Sequence, residues 1–382
     1  MKRIGIDDTI MIKGRPAQAG SRIMEGYKSL FDAEAVTRIK NAGHEISCKT
    51  NTGEFGLDML GEFSYGAEQE GKLAGDAASK LAAGEIDGAL GVDMNGSARR
   101  AAALSGVVFI KPTYGTVSRH GVISCAASGE QIGVYAGDAA GAAELLGAIA
   151  GHDDKDGTSL PEEKYEYSME PAGGRVAVIR NLADKADDVT KQKLEAFADS
   201  LRDAGTAVEE IGFELCEAAN TAWQILMCAE TCNNISRYDG VKFGYRADKF
   251  KNIDELYVNT RTEGFNFLTK AVILYGSDAL SKTRYKDCYE KSLKIRRIAA
   301  DAMAKLFEKY DAVLTPACSR REYEAYDIHE AFGRVFAEGE FTAIPNLTGI
   351  PALVSSGVQL MGNKFCESRL LGFAEAGERG LK

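Results

Sequence analysis

The stretch DGALGVDMNGSARRAAALSGVVFIKP, residues 87–112, reads as strand, turn, helix and strand in immediate succession. A small apolar run ends at Asp93, a three-residue turn holds Gly96, and an alanine-rich segment follows before VVFIKP. Upstream, AASKLAAGE (77–85) has helical composition and leads into the first of these strands. A serine behind such a turn, here Ser97, is either a nucleophile displayed at the top of a sheet or a small residue that the turn needs for packing.

The same alternation runs outward in both directions. RIGI (3–6) and HEISC (44–48) read as strands around the helical spacing of DAEAVTRIKNAG (32–43). GRVAVIR (174–180) predicts a strand, followed by a helical stripe of Leu194, Phe197, Leu201 and Ala204 that Gly205 ends. TAVEEIGF (206–213) is the next strand, and 284–309 reads as one long amphipathic helix running into the strand DAVLTPA. Strands alternating with helices predict an α/β fold, with helices packed on both faces of one large sheet, mostly parallel or mixed. Glycine is abundant (41) and proline scarce (7), with no linker-like tract, so residues 1–382 are expected to form a single domain.

A net charge of −10 argues against a broad basic face, so no direct nucleic-acid binding is expected. No apolar run approaches the ~20 residues of a membrane span, and carboxylates interrupt the N-terminal MKRIGIDDTIMIKG. These features predict a soluble, cytoplasmic protein. Eight scattered cysteines read as free thiols of a reducing compartment. Cys228 and Cys232 lie four apart on one helix face without a second pair or histidine, so they read as core thiols, and neither metal nor cofactor is expected.

Three segments carry a resemblance: GVVFIKPTYGTVSRHGVISCAASGEQIG (106–133), GAIAGHDDKDGTSLP (147–161) and SRYDGVKFGYRA (236–247). They resemble the amidase signature family, and RYDGVKFGYR within them resembles the A subunits of the aspartyl/glutamyl-tRNA amidotransferases. The resemblance runs from Ile4 to the C-terminal GVQLMGNKFCESRLLGFAEAGE. It implies one mixed sheet sheathed by helices and amide hydrolysis by a serine, a cis-serine and a lysine. The lysine is the base, the cis-serine relays the proton, and backbone N–H groups hold the oxyanion. It also implies partners: the tRNA-binding B subunit of an amidotransferase, to which the ammonia travels, and its small C subunit.

Residue by residue, the implied site is incomplete. The nucleophile turn D-T-G-G-S falls on Asp93, Met94, Asn95, Gly96 and Ser97, so Met94, Asn95 and Gly96 are the oxyanion-hole candidates. Asn95 replaces a glycine and is expected to tolerate left-handed backbone angles. Arg99 keeps its place. The family lysine falls on Asp7, and the relay serine, 24 residues before Ser97, falls on Leu73. The glutamine-binding arginine and aspartate fall on Val272 and Gly339, the latter flanked by Glu338 and Glu340 as partial substitutes. The pattern is also shortened at the start, between 55 and 71, and before SSGVQLMG, with the family's usual N-terminal helical segment missing.

A serine alcohol without its base has no route to activation. Asp7 as a buried general base, or Lys49 or Lys111 as a displaced one, would restore that route. His120 and His152 read as surface residues, and KPTYG (111–115) as turn chemistry. Two functions follow. One is a pseudo-amidase that docks the B and C subunits or an intact paralogue. The other is a divergent amidase or amidotransferase using Ser97 with a non-standard base.

Overall fold

The computed structural model describes residues 1–66 and 75–381; Leu73 lies outside the described residues. Ten strands form one sheet: β1 (Arg3–Asp7), β2 (Glu45–Thr50), β3 (Gly88–Asp93), β4 (Val108–Lys111), β5 (Gln131–Ala136), β6 (Arg175–Ile179), β7 (Ala207–Ile211), β8 (Ala312–Pro316), β9 (Ala352–Ser355) and β10 (Val358–Gly362). Their order is β2-β1-β3-β5-β4-β9-β10-β8-β6-β7. The strands β2, β1 and β3 run parallel, as do β8, β6 and β7, while every pairing between β3 and β8 across the middle is antiparallel. The sheet is therefore mixed, with parallel flanks and an antiparallel centre.

Twelve helices interleave with the strands among the described residues. The first six are α1 (Glu34–Asn41), α2 (Asp76–Ala82), α3 (Ser97–Ser105), α4 (Ala139–Ile149), α5 (Arg180–Ala183) and α6 (Asp188–Asp203). The others are α7 (Cys216–Asn234), α8 (Ile253–Gly264), α9 (Phe267–Ala279), α10 (Lys291–Leu306), α11 (Ile328–Thr348) and α12 (Glu367–Leu381). One core holds Ile4 and Ile6 of β1 with Leu145 of α4, Phe197 of α6 and Phe373 of α12. Another holds Trp223 and Met227 of α7 with Val272 of α9 and Phe341 of α11. With helices on both faces, β5, β8, β9 and β10 are buried along their whole length, as strands covered on both sides must be. The edge strand β7 carries Glu209 and Glu210, charges that discourage further strand pairing.

Two expectations need correction. Ala204 is exposed, because it is the cap residue leading into the left-handed Gly205 (φ +85°) and has already turned away from the stripe of Leu194, Phe197 and Leu201. The stretch 284–309 is not one continuous α-helix. Lys286–Glu290 forms a π-helical turn before α10 begins, with the Tyr285 and Tyr289 rings 5.2 Å apart. Cys228 is buried in the α7 core and Cys232 half-buried, and both are free thiols.

Candidate functional site

Strand β3 delivers the chain to a turn at Met94, Asn95 and Gly96, and Ser97 opens α3. Gly96 takes the left-handed conformation (φ +87°), and a Cβ there would lie 2.3 Å from Thr342 of α11, so both backbone and space require glycine. The tolerance of Asn95 for left-handed angles is not called upon, since Gly96 supplies the reversal. Asn95 instead works through its side chain. Its Nδ2 donates to Leu57 O (2.9 Å), and its Oδ1 accepts from the Ser97 N–H (3.2 Å). That bond ties the first helical N–H back onto the turn.

Beneath the turn lies a buried polar network. Arg99 makes a bidentate pair with Asp93, Nε to Oδ2 and Nη2 to Oδ1, each at 2.9 Å and both side chains fully buried. Its remaining donors reach Gln359 Oε1 of β10 (2.6 Å), Thr342 O (2.9 Å) and Asn346 Oδ1. Burial acts to raise the Asp93 pKa, but the charge and hydrogen bonds of Arg99, with Asn346, hold it below the usual carboxylate range. Arg100, also buried, donates to Met59 O (3.2 Å), Asn95 O (3.0 Å) and Thr342 Oγ1 (2.8 Å).

Ser97 is half-buried and lines a narrow pocket with Asp7, Asn51, Thr52, Asp76, Val92 and Tyr135, among others. Its free volume is about 30 Å³, well below the roughly 300 Å³ at which ligand pockets begin. Ser97 and Asp7 thus face the same space. Among the described residues the Ser97 hydroxyl has no hydrogen-bond partner. Asp7 Oδ1 accepts from Thr9 twice, from N–H (2.8 Å) and Oγ1 (2.6 Å). Burial pushes the Asp7 carboxyl up to about 6, against the Thr9 hydrogen bonds and the charge of Lys49.

The alternative bases are occupied elsewhere. Lys49 Nζ donates to Asp7 O (3.1 Å) and Ile10 O (2.7 Å) and stands 3.5 Å from Asp8 Oδ1. Those three oxygens use the three donors an ammonium has. Lys111 is fully buried at the end of β4, donating to Pro112 O (2.9 Å). Burial, and then the charge of Arg99, push its pKa down to about 7. Neither lysine lines the Ser97 pocket.

The remaining predicted positions do not line the Ser97 pocket. Val272 is buried in the α7–α9 core, and Gly339 of α11 packs against Asn220 and Gln224 of α7. Glu338 accepts from the Ser319 N–H (2.9 Å) and hydroxyl, and Glu340 pairs with Lys185 at 2.5 Å. His120 stacks on Phe31 with ring centroids 4.9 Å apart, and His152 contacts Leu160 O (2.8 Å) and Asp154 (3.0 Å). Both histidines are half-buried rather than open surface groups. KPTYG is turn chemistry: the Thr113 N–H donates to Glu367 (2.7 Å) and the Gly115 N–H to Gln131 (3.0 Å). Sequence reasoning passed over Thr9 and Tyr135, although the hydroxyl two residues beyond Asp7 was a visible signal for an Asx-type turn.

The amidase family profile matches residues 3–70 and 73–371. The chain belongs to the amidase family. Relatives include the A subunit of the glutamyl-tRNA(Gln) amidotransferase of Lachnoclostridium phytofermentans, 35% identical over 96% of this chain and 81% of that protein. The A subunit of the same enzyme from Lactobacillus johnsonii is 32% identical over 99% of this chain and 84% of that protein. Among solved structures, the glutamyl-tRNA(Gln) amidotransferase A subunit from Thermotoga maritima superposes with a TM-score of 0.81 at 28% identity, covering 99% of this chain and 82% of that one. Within the amidase family, then, this is a chain similar to amidotransferase A subunits.

Proposed function

We propose that this chain is a non-hydrolytic counterpart of the amidotransferase A subunits, a single-domain pseudo-amidase that keeps their fold and docks a partner. The observation that carries it is the occupancy around Ser97. A carboxyl held by Thr9 stands at Asp7, where the family resemblance calls for an amine, and the nearby Lys49 has its donors committed. Met94, Asn95 and Gly96 remain as an oxyanion turn, and among the described residues neither Lys49 nor Lys111 lines the pocket to activate the alcohol in front of it. The partner is the B or C subunit of an amidotransferase, or an intact paralogue, and the location is cytoplasmic. Among the described residues no helix is long and apolar enough to cross a membrane.

The direct test is ammonia release from glutamine. The purified chain is expected to stay at the uncatalysed rate, Ser97→Ala to leave it there, and a serine-directed phosphonate to leave Ser97 unlabelled. Turnover at ordinary enzymatic speed that Ser97→Ala abolishes would overturn the reading. A second reading has one observation in its favour: Asp7 shares the pocket with Ser97 and its carboxyl is pushed up to about 6. As a general base it would give a Ser97-dependent rate that rises with pH through about 6.

The same shift predicts a stability effect whichever reading holds. A carboxyl whose folded pKa lies above its unfolded value binds its proton more tightly when folded, so its favourable contribution is present below pH 4 and lost as pH rises through about 6. Asp7→Asn keeps an oxygen for Thr9 and removes the buried charge. It is expected to stabilise the chain by about 1–3 kcal/mol at pH 8 and hardly at all at pH 4, as read from urea unfolding at the two pH values.

A further inference from the structure

On the far side of the loop that walls the Ser97 pocket lies a second, larger cavity. Met59 lines this one, whereas the next two residues, Leu60 and Gly61, line the Ser97 pocket. Its volume is about 260 Å³, and its walls are Met59, Arg320, Tyr323, Arg334, Ala337 and Glu338. The partition is firmly built. Asp58 accepts from the N–H groups of Gly61 (2.8 Å) and Phe63 (2.9 Å), and Glu62 accepts from the Leu60 N–H (2.8 Å) and the Tyr326 hydroxyl (2.8 Å).

Two guanidinium groups border the cavity, each set against a tyrosine ring: Arg320 lies 5.8 Å from the centre of Tyr323 and Arg334 lies 4.4 Å from that of Tyr326. Arg334 shares its charge with Glu330 at 3.0 Å. Arg320 makes no close ion pair and no side-chain hydrogen bond among the described residues, and its charge is felt by Asp187. The Tyr323 hydroxyl is buried and makes no hydrogen bond of good geometry there. Glu338, the one acid in the lining, is already held by Ser319. The Tyr323 hydroxyl stands beside Ser319 and Glu338, so the donor left for a ligand is the Arg320 guanidinium, and Met59 and Ala337 give the surface for a compact apolar body.

We propose that this cavity binds a small carboxylate, with Arg320 taking the carboxylate oxygens and Met59 and Ala337 covering the apolar part. The site is separate from the Ser97 pocket and does not depend on whether Ser97 reacts. Benzoate is the probe, and benzyl alcohol its uncharged counterpart. Calorimetric titration of the full chain is expected to show benzoate binding that weakens with added salt, and no comparable heat with benzyl alcohol. Loss of one charged hydrogen-bonding group predicts at least about tenfold weaker binding in Arg320→Ala. Glu338→Gln removes a like charge and is expected to tighten binding several-fold, a change of sign that general loosening of the fold would not produce. Ser97→Ala is expected to leave benzoate affinity unchanged. The proposal is overturned if benzoate fails to bind, if benzyl alcohol binds as well, or if Arg320→Ala, with an unaltered melting temperature, binds as the parent does. Inorganic phosphate binding in preference to benzoate would overturn it too.

Discussion

Replacing Asp7 by lysine and Leu73 by serine together is expected to create glutamine hydrolysis about 10²–10³-fold above that of the parent chain, with neither single variant rising above it. Elsewhere in serine catalysis, members of the catalytic set act as a unit, and removal of one costs nearly as much as removal of all. A restored lysine without its relay, or the reverse, therefore gains nothing. The expected gain is less than the roughly million-fold span of such sets because the Ser97 pocket, at about 30 Å³, must also open to admit an amide.

The site chosen for the lysine favours the chemistry. Asp7 is buried at the end of β1, and desolvation there would depress the pKa of an amine just as it raises that of the carboxyl. Lys49 would add repulsion from its fixed charge in the same direction. Ammonia release measured on the parent, both single variants, the double variant and the double variant with Ser97→Ala decides the matter. Activity in the double variant that vanishes with Ser97→Ala shows a scaffold lacking only its proton carriers. A folded double variant no faster than the parent would mean that the oxyanion turn or the pocket has been lost as well.

What the sequence made legible follows the range of the interactions involved. The β3–turn–α3 unit was readable because it is local: an apolar run, a glycine where the chain must turn left-handed, and an alanine-rich helix. The mixed sheet with helices on both faces was readable from alternation and from the family resemblance. The π-helical turn at Lys286–Glu290 was not, since one wider turn barely disturbs the apolar spacing of so long a segment. At the site, only the family resemblance drew notice to Asp7, and its grip on Thr9 needed coordinates. The partners of Arg99 were the least visible. Thr342, Asn346 and Gln359 stand some 240 to 260 residues away in sequence, and nothing in FTAIPNLTGIP or GVQLMG marks them as its acceptors.

Arg99→Leu is expected to cost about 3–5 kcal/mol, the range for removing one partner of a buried ion pair. The leucine leaves the Asp93 carboxylate fully buried without its counter-ion, and leaves Gln359 and the Thr342 carbonyl without their donor. Asp93→Asn is expected to fall in the same range by stranding the guanidinium instead. The double variant should lose less than the two losses combined, since neither charge is then left alone. The sign with pH is opposite to that at Asp7. Because the folded pKa of Asp93 lies below its ordinary value, the contribution of the pair is complete above that value and is lost only as pH falls through the lowered one. Urea unfolding of Arg99→Leu should therefore show a constant deficit from pH 5 to 8 that narrows only under strong acid. A deficit below about 1 kcal/mol would place this pair among those that contribute little. The network also bears on Ser97. Asp93, Asn95 and Arg100 hold the turn from below through α11, Arg99 adds β10 through Gln359, and Gly96 fits the turn against Thr342. A turn fastened by the core on that side keeps its shape, and with it a small residue at Ser97, with no demand from catalysis.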